Sequence, residues 1–356
     1  MNGVTKVARA ALSAAKKLGG TFWAPIYGWL PEDVDRRVRV IAWVSFAAQV
    51  LLIATGGAVR LTASGLGCPT WPRCTAESFT NTPEMGIHGI IEFANRMLTF
   101  VLAAITILAF AFVFRFRRAR RDLFWLTLLQ GLSIPFQAVL GGITVLTGLN
   151  PYVVGAHFAV SMVLVVLTTI LIWRAYRGRR PAEFVAARWY RIVAVVTAIA
   201  VVVTVGFGIL TTGSGPHAGD NSNPLKPAPR NGLDSDFLQH VHSWPAYLVL
   251  VLTVVLVVFA TSGGIPTTWP LVLLAVEVAQ MVIGITQSRL GLPELLVGIH
   301  MVLAALLAGA MTATMLALRG TAKSTGTAKS NGTAKPSGTA KSSGTAKPSG
   351  TAKLLR

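Results

Sequence analysis

Charge is scarce in this sequence. Only 13% of its 356 residues are Asp, Glu, Lys or Arg, against about 25% in an average soluble domain. With 53% of the residues apolar, that deficit excludes a surface made mainly for water. Acidic residues are the scarcer sign, 13 against 32 basic ones, so the formal net charge is +19. The surplus does not mark a nucleic-acid binder. It is gathered between and beyond the apolar runs, as in a membrane protein anchored by cytoplasmic Lys and Arg. Cysteine is nearly absent, with two residues close together at Cys68 and Cys74. The segment 1–37 lacks a long apolar run, which argues against a cleaved signal peptide. Its Lys6, Arg9, Lys16 and Lys17 make it a basic cytoplasmic arm, and the aromatics of FWAPIYGWL (22–30) suit a membrane interface. The segment 319–356 is almost devoid of apolar side chains. It repeats TAKSTG, TAKSNG, TAKPSG, TAKSSG, TAKPSG and TAKLLR, cannot offset chain entropy by burial, and is expected to be a disordered, solvated tail.

What is present is apolar length. Backbone amides in hydrocarbon must be bonded internally, so apolar runs of about 20 residues become helices. Eight such runs are expected, near 38–59, 87–113, 122–146, 153–173, 191–212, 237–260, 268–287 and 294–318. RFRRARR (115–121) follows the second, and RAYRGRR (174–180) follows the fourth. The connections after the first, third, fifth and seventh runs carry few basic residues. The positive-inside rule then places both termini in the cytoplasm of a multi-pass protein of a bacterial inner membrane.

The apolar part contains a long-range repeat. QAVLGGITVLTGLNPYVVGAH (137–157) aligns without a gap on QMVIGITQSRLGLPELLVGIH (280–300), setting Gln137 on Gln280, Gly141 on Gly284 and His157 on His300. LTASG (61–65) resembles TTGSG (211–215), and EFANR (92–96) lines up with QHVHS (239–243), setting Asn95 on His242. Each unit has an even number of spans, so both halves keep one orientation. The expected fold is all-α and integral to the membrane: two four-helix bundles related by a pseudo-twofold axis along the membrane normal. The chain then divides into the arm 1–37, an N-terminal bundle 38–173, a cytoplasmic linker 174–190, a C-terminal bundle 191–318 and the tail 319–356.

His242 and His300 begin parallel spans of one bundle, each roughly 6–12 Å below the outer surface. Two imidazoles at matched depth can clamp one iron from both sides, the arrangement of a membrane b-type haem, with other groups bonding the free ring nitrogens. The alternative is that they are helix–helix hydrogen-bonding histidines. Duplication of one and depth-matching of the other favour ligation. His240 lies about 200° around the helix from His242 and cannot share its face. His217 belongs to an outer loop.

The first half differs. His157 has Asn95 where a second imidazole would stand, which leaves one strong axial ligand and an open side. Open positions suit substrates, and closed ones suit electron transfer. His88 lies two turns above Asn95, about 10 Å higher. Glu92, one turn from Asn95, is costly in hydrocarbon unless it has work or a partner. Arg96 at i+4 could be that partner in a structural ion pair; a catalytic or substrate-contacting carboxylate is the other reading, and the one preferred. Glu277 is also expected to be buried, without an assigned role. CPTWPRC (68–74) places two cysteines six apart in the first outer connection, where they can close a small loop in an oxidising compartment. A structural staple and a labile redox pair both remain open.

Taken together, VRLTASGLGCPTWPRC (59–74), EFANR (92–96), VVGAH (153–157), TTGSGPHAGD (211–220) and VGIH (297–300) resemble the haem A synthase family across about 38–318. The resemblance implies an enzyme that oxidises the C8 methyl group of haem O to a formyl group for cytochrome oxidase. It implies a haem b cofactor between His242 and His300, and haem O as substrate in the N-terminal bundle near Glu92 and His157. Asn95 and Arg96 would contact the porphyrin, and Cys68 and Cys74 match the family's paired cysteines. Asn95 is a departure, because the family usually has histidine there (E-x-x-H-R). Ser243 is another, standing where an arginine often follows the histidine. Water would be the oxygen source and electrons would leave through the second haem. The implied partners are haem O synthase, oxidase-assembly factors and membrane lipid, with no nucleic acid. The rival from another class is a non-catalytic bis-histidine cytochrome b passing electrons to an outer partner. It requires two closed sites, and Asn95 counts against it. A transporter would suit duplicated halves, but the repeat lacks the inverted symmetry common in that class.

Overall fold

The computed structural model describes residues 28–178, 183–220, 227–263 and 266–320. It contains eight long helices: α1 (Arg36–Leu61), α2 (Gly86–Phe114), α3 (Arg121–Leu146), α4 (Pro151–Arg177), α5 (Arg188–Ser214), α6 (Ser235–Gly263), α7 (Thr268–Arg289) and α8 (Glu294–Ala317). All eight are long and apolar enough to cross a membrane, and each lies within a few residues of the run expected from hydropathy. Their ends follow local chemistry. Asp35 caps α1 by accepting from the Val38 amide, and Asn150 caps α4 by accepting from the Tyr152 amide ahead of Pro151. A side-chain oxygen at that position satisfies an amide that the helix itself leaves unpaired, and proline at the first helical position loses nothing.

Large apolar side chains point outward along the helices; Phe100 and Val202 are 69% and 71% exposed. So broad an apolar exterior matches lipid rather than water. Interior hydroxyls bond back to their own helices: Ser45 to the Ile41 carbonyl, Thr168 to Leu164 and Thr204 to Ala200. That keeps polar atoms satisfied where no water reaches.

In the first half α1 packs on α2 and α4, and α3 packs on α2 and α4; in the second half α5 packs on α6 and α8, and α7 packs on α6 and α8. The halves meet where α8 packs on α1 and α4, and where α4 packs on α5. Ile53, Met162, Val165 and Ala305 fill that seam, with Phe46, Phe158, Val205 and Met301 around them. The repeat is visible in the backbone. Gly148-Leu149 and Gly291-Leu292 both adopt left-handed conformations, Leu149 at φ 65° and Leu292 at φ 62°. The Leu149 amide donates to the Thr144 carbonyl and the Leu292 amide to the Gln287 carbonyl, each at 2.8 Å. A leucine at positive φ is disfavoured, so a paired occurrence at matched positions marks a shared turn.

Two expectations change. Residues 183–184, in the expected linker, pair antiparallel with 319–320, the first residues of the expected tail. The Arg191 and Arg319 guanidinium groups both lie over the Phe184 ring, at 4.2 and 4.3 Å. This small ribbon has no periodicity long enough to read from sequence. The arm up to residue 27 and the tail from residue 321 lie outside the described residues.

Ala305 is fully buried in the seam. Ala305→Phe should therefore lower unfolding stability in detergent by about 1–3 kcal/mol through overpacking. Val202→Phe on the lipid side should stay within about 0.5 kcal/mol. Chemical unfolding followed by circular dichroism separates the two.

Candidate functional site

Three cavity-lining histidines rest against residues that lack side chains. A Cβ at Gly208 of α5 would come within 3.0 Å of His242 Cε1, and one at Gly284 of α7 within 3.0 Å of His300 Cε1. A Cβ at Gly141 of α3 would lie 3.3 Å from His157 Cε1. Each imidazole thus rests its edge in a gap that glycine opens in the adjacent helix. The His242 Nδ1 donates to the Thr204 carbonyl at 2.9 Å, one turn before Gly208. A carbonyl only accepts, so the proton is on Nδ1 and the Nε2 lone pair is free. His300 Nδ1 is buried in the matching position without a hydrogen-bond partner.

His242 and His300 come together as the sequence suggests. Their ring centroids are 6.2 Å apart at an interplanar angle of 74°. Metal–nitrogen bonds of about 2 Å on opposite sides of one ion put imidazole centroids roughly 6 Å apart. Among the described residues no group of three or more His, Cys, Asp or Glu side chains gathers as a metal cage. An ion held here would bring its other donors with it, as a porphyrin does.

Both halves open on one cavity of about 1180 Å³, larger than the roughly 300–1,000 Å³ that takes a single small molecule. Its lining includes His157, His242 and His300, and also Asn95, Gln137, Gln280 and Gln287. Asn95 Oδ1 and the Oε1 atoms of all three glutamines are buried without a hydrogen-bond partner. Buried polar atoms are nearly always paired, so orphans of this number around one cavity fit a large ligand with polar edges.

The first half lacks the second imidazole. In the register that matches Leu61–Gly65 with 211–215, Ala58 stands where Gly208 does. The gap-forming glycine and the histidine are thus both replaced, by Ala58 and Asn95. His88, the alternative ligand weighed from sequence, is exposed and holds Ser64 Oγ through Nδ1 at 2.9 Å. His217 Nε2 donates to the Leu292 carbonyl at the cavity's end, and His240 Nδ1 donates to its own helix at Asp236.

Cys68 and Cys74 form a disulfide with Cα atoms 4.4 Å apart. The loop they close is tied to α2 by Glu92 and Arg96. Glu92 Oε2 accepts from the Cys68 amide at 2.6 Å, and Oε1 accepts from Arg96 Nε at 3.1 Å and from Nη2. Arg96 Nη1 donates to the Thr70 and Arg73 carbonyls, and Nη2 also to the Cys68 carbonyl. All five guanidinium N–H groups are thereby engaged. Arg96 nevertheless lines the cavity, with its donors directed to Glu92 and to the loop. Glu92 likewise serves the structural pair, although it still lines the cavity. From the same loop Trp71 lies against Gly142 of α3, where any Cβ would collide with the indole.

Sequence reasoning missed Arg60. It is part-buried at the end of α1 and donates through Nε to the His217 carbonyl at 2.7 Å and through Nη2 to the Thr212 carbonyl at 2.8 Å. An arginine ending a span looked only like a topology signal. Its reach into the other half is tertiary information. The glycine gaps left a fainter trace, in the alignment of Gly141 with Gly284.

These features define a multi-pass helical membrane protein with paired and unpaired histidines around a large internal cavity. The chain belongs to the COX15-CtaA family of cytochrome oxidase assembly proteins, whose model matches residues 39–312. Several bacterial relatives bear the name "Heme A synthase". That of Halalkalibacterium halodurans is 30% identical over 156 residues, 43% of this chain and 52% of the relative. That of Bacillus pumilus is 31% identical over 147 residues, 40% and 47% of the two chains. That of Lysinibacillus sphaericus is 33% identical over 131 residues, 35% and 41%. The chain spans about half the length of the relatives it matches.

Glu92→Gln keeps the shape of the loop anchor but removes its charge. Charge-assisted bonds contribute about 1.5–3 kcal/mol each, so a small thiol should reduce the Cys68–Cys74 disulfide roughly tenfold faster or more, measured by timed thiol alkylation and mass spectrometry. An unchanged rate would show that Glu92 does not hold the loop.

Proposed function

We propose that the chain is a haem A synthase, oxidising the C8 methyl group of haem O to a formyl group. The observation that carries this reading is an asymmetry within one cavity of a protein of this family. One half brings two imidazoles to 6.2 Å, and the other offers His157 with Asn95 in place of the second. In this reading the architecture is two four-helix bundles, 38–173 and 191–318, related by a pseudo-twofold axis along the membrane normal. The duplicated turns at Leu149 and Leu292 support it. The Arg-rich segments 115–121 and 174–180 support cytoplasmic termini in a bacterial inner membrane.

His242 and His300 hold haem b, which supplies one-electron transfer when bound. The Thr204 carbonyl fixes the His242 ring in the tautomer that ligation needs. His157 would hold haem O, and its edge is set by Gly141. Asn95 presents an unpaired Oδ1 to the same cavity and suits a hydrogen-bonded group better than iron. Glu92 and Arg96 are positioning residues. They fix the disulfide loop, and with it Trp71, over the first-half cavity and so exclude water from it. Arg60 directs two of its donors to carbonyls of the second half and leaves its charge at the cavity wall, where it suits a propionate. That would answer the absence of an arginine after His242. Haem O synthase and oxidase-assembly factors are the partners this reading implies.

Co-expression with a haem O source followed by chromatography of the extracted haems tests the assignment. Wild type should yield haem A. His157→Ala should lose haem A and keep the b-type spectrum, whereas His242→Ala or His300→Ala should lose that spectrum. A simple cytochrome would give haem b and no haem A from the wild type.

Gly284→Val offers an independent check. It pushes a side chain into the space of the His300 ring and should abolish the low-spin b-type absorption. The same substitution at Gly131, where a Cβ meets nothing within 4 Å, should leave it intact. Loss of the band in both variants, or in neither, would refute the glycine-gap account.

A further inference from the structure

Glu277 stands outside everything assigned so far. It is midway along α7, 5% exposed, and lines the cavity. Neither carboxyl oxygen has a hydrogen-bond partner. Thr253 faces it from α6 without closing a well-formed bond, and its Oγ1 is also buried and unpaired. The alignment of Gln137 on Gln280 sets Ile134 against Glu277. The carboxylate is therefore not part of the scaffold shared by the halves. It belongs to the half that brings two imidazoles together.

No Lys or Arg forms an ion pair with Glu277 among the described residues. α7 packs on α6 and α8. The titratable groups of α6 are Asp236, His240, His242 and Tyr247, and those of α8 are Glu294 and His300. α7 itself ends in Arg289. At its other end Trp269 meets Trp173 of α4, beside Arg174 and Arg177 and about 12 Å along the helix from Glu277. An isolated carboxylate in such surroundings is neutralised by a proton or by a nearby positive charge. Glu277 lies two turns, about 10 Å, along α7 from Gly284, which seats the His300 ring. A ferric porphyrin bound by two neutral imidazoles carries one positive charge at its core, and the ferrous form carries none.

We propose that Glu277 is the proton-binding group coupled to the electron held at the His242–His300 site. This rests on the haem b reading above. When a one-electron donor reduces the ferric iron, one electron arrives and one proton from solvent binds the Glu277 carboxylate. When the electron leaves for an oxidant, that proton is released. Charge and mass balance at each step, because the porphyrin core loses one positive charge as the carboxylate loses one negative charge. A unit charge at a separation on the order of that 10 Å rise, in a medium of effective dielectric about 20, alters proton affinity roughly tenfold. The coupling supplies a proton acceptor within the membrane for a reaction that removes electrons and protons together from a methyl group.

The test is a spectroelectrochemical titration of the purified full-length protein with its haem, across neutral and alkaline pH. In wild type the reduced state binds the proton more tightly. The midpoint potential should fall as pH rises, by roughly tenfold in the reduction equilibrium between plateaus, about 59 mV for one electron. Glu277→Gln should hold the potential near the acid plateau and remove that fall. Redox-difference infrared spectra of wild type provide a second measurement. A protonated-carboxyl band should grow on reduction, shift in heavy water and vanish in Glu277→Gln. An intact Soret band with the same pH dependence in wild type and Glu277→Gln, or no carboxyl band in wild type, overturns the proposal alone. A haem-replete preparation without a Soret band overturns it together with the haem b reading.

Discussion

The edge of an imidazole lying in a gap opened by glycine is the contact on which the site depends. Helices with ordinary side chains keep their axes about 8–10 Å apart, with that space filled. A ring that must aim one nitrogen into a central cavity has to press its other edge against a neighbouring helix. A residue without Cβ allows that approach without the displacement of a few tenths of an ångström that any Cβ would demand of the ring. For His242, Gly208 opens the gap and the Thr204 carbonyl accepts from Nδ1. Gly284 and Gly141 repeat the gap for His300 and His157. Ring position follows from that local arrangement at all three histidines, and the tautomer follows from it at His242.

The halves diverge through the same contact. Where Ala58 stands in the position of Gly208, the histidine is also gone, replaced by Asn95. A duplicated scaffold has kept its turns, its glutamines and one histidine per half, while changing the pair of positions that decides how many nitrogens reach the centre. Around that difference the first half has added a covering loop fixed by an ion pair and a disulfide, and the second a lone carboxylate. The scaffold is common, and the chemistry differs by a few side chains.

Much of this was legible in the sequence. Spans rest on hydropathy over some 20 residues, a signal that the solvent imposes and tertiary context hardly alters. All eight helices accordingly fall where expected. His242, His300 and His157 were legible because a polar ring inside an apolar run is itself anomalous. Glu92 and Arg96 were singled out and their pairing weighed, but the loop they hold was not. The spacing i, i+4 predicts an ion pair and does not say that the pair holds the backbone of residues 68–73. Arg60 was illegible because its partners, the carbonyls of His217 and Thr212, lie more than 150 positions away. The pairing of 183–184 with 319–320 was illegible because two residues carry no periodicity.

The outer contacts between halves have a consequence for chain connectivity. Arg60 grips two carbonyls of the second half, the Gly65 amide donates to the Gly219 carbonyl, and Ser64 bridges to Asp220. Together with the apolar seam around Ala305, these bonds join the halves as subunits of a dimer are joined. The covalent link between α4 and α5 is then redundant for cohesion once folding is complete. It acts as a tether that sets stoichiometry and brings two unlike copies of one unit to the same place.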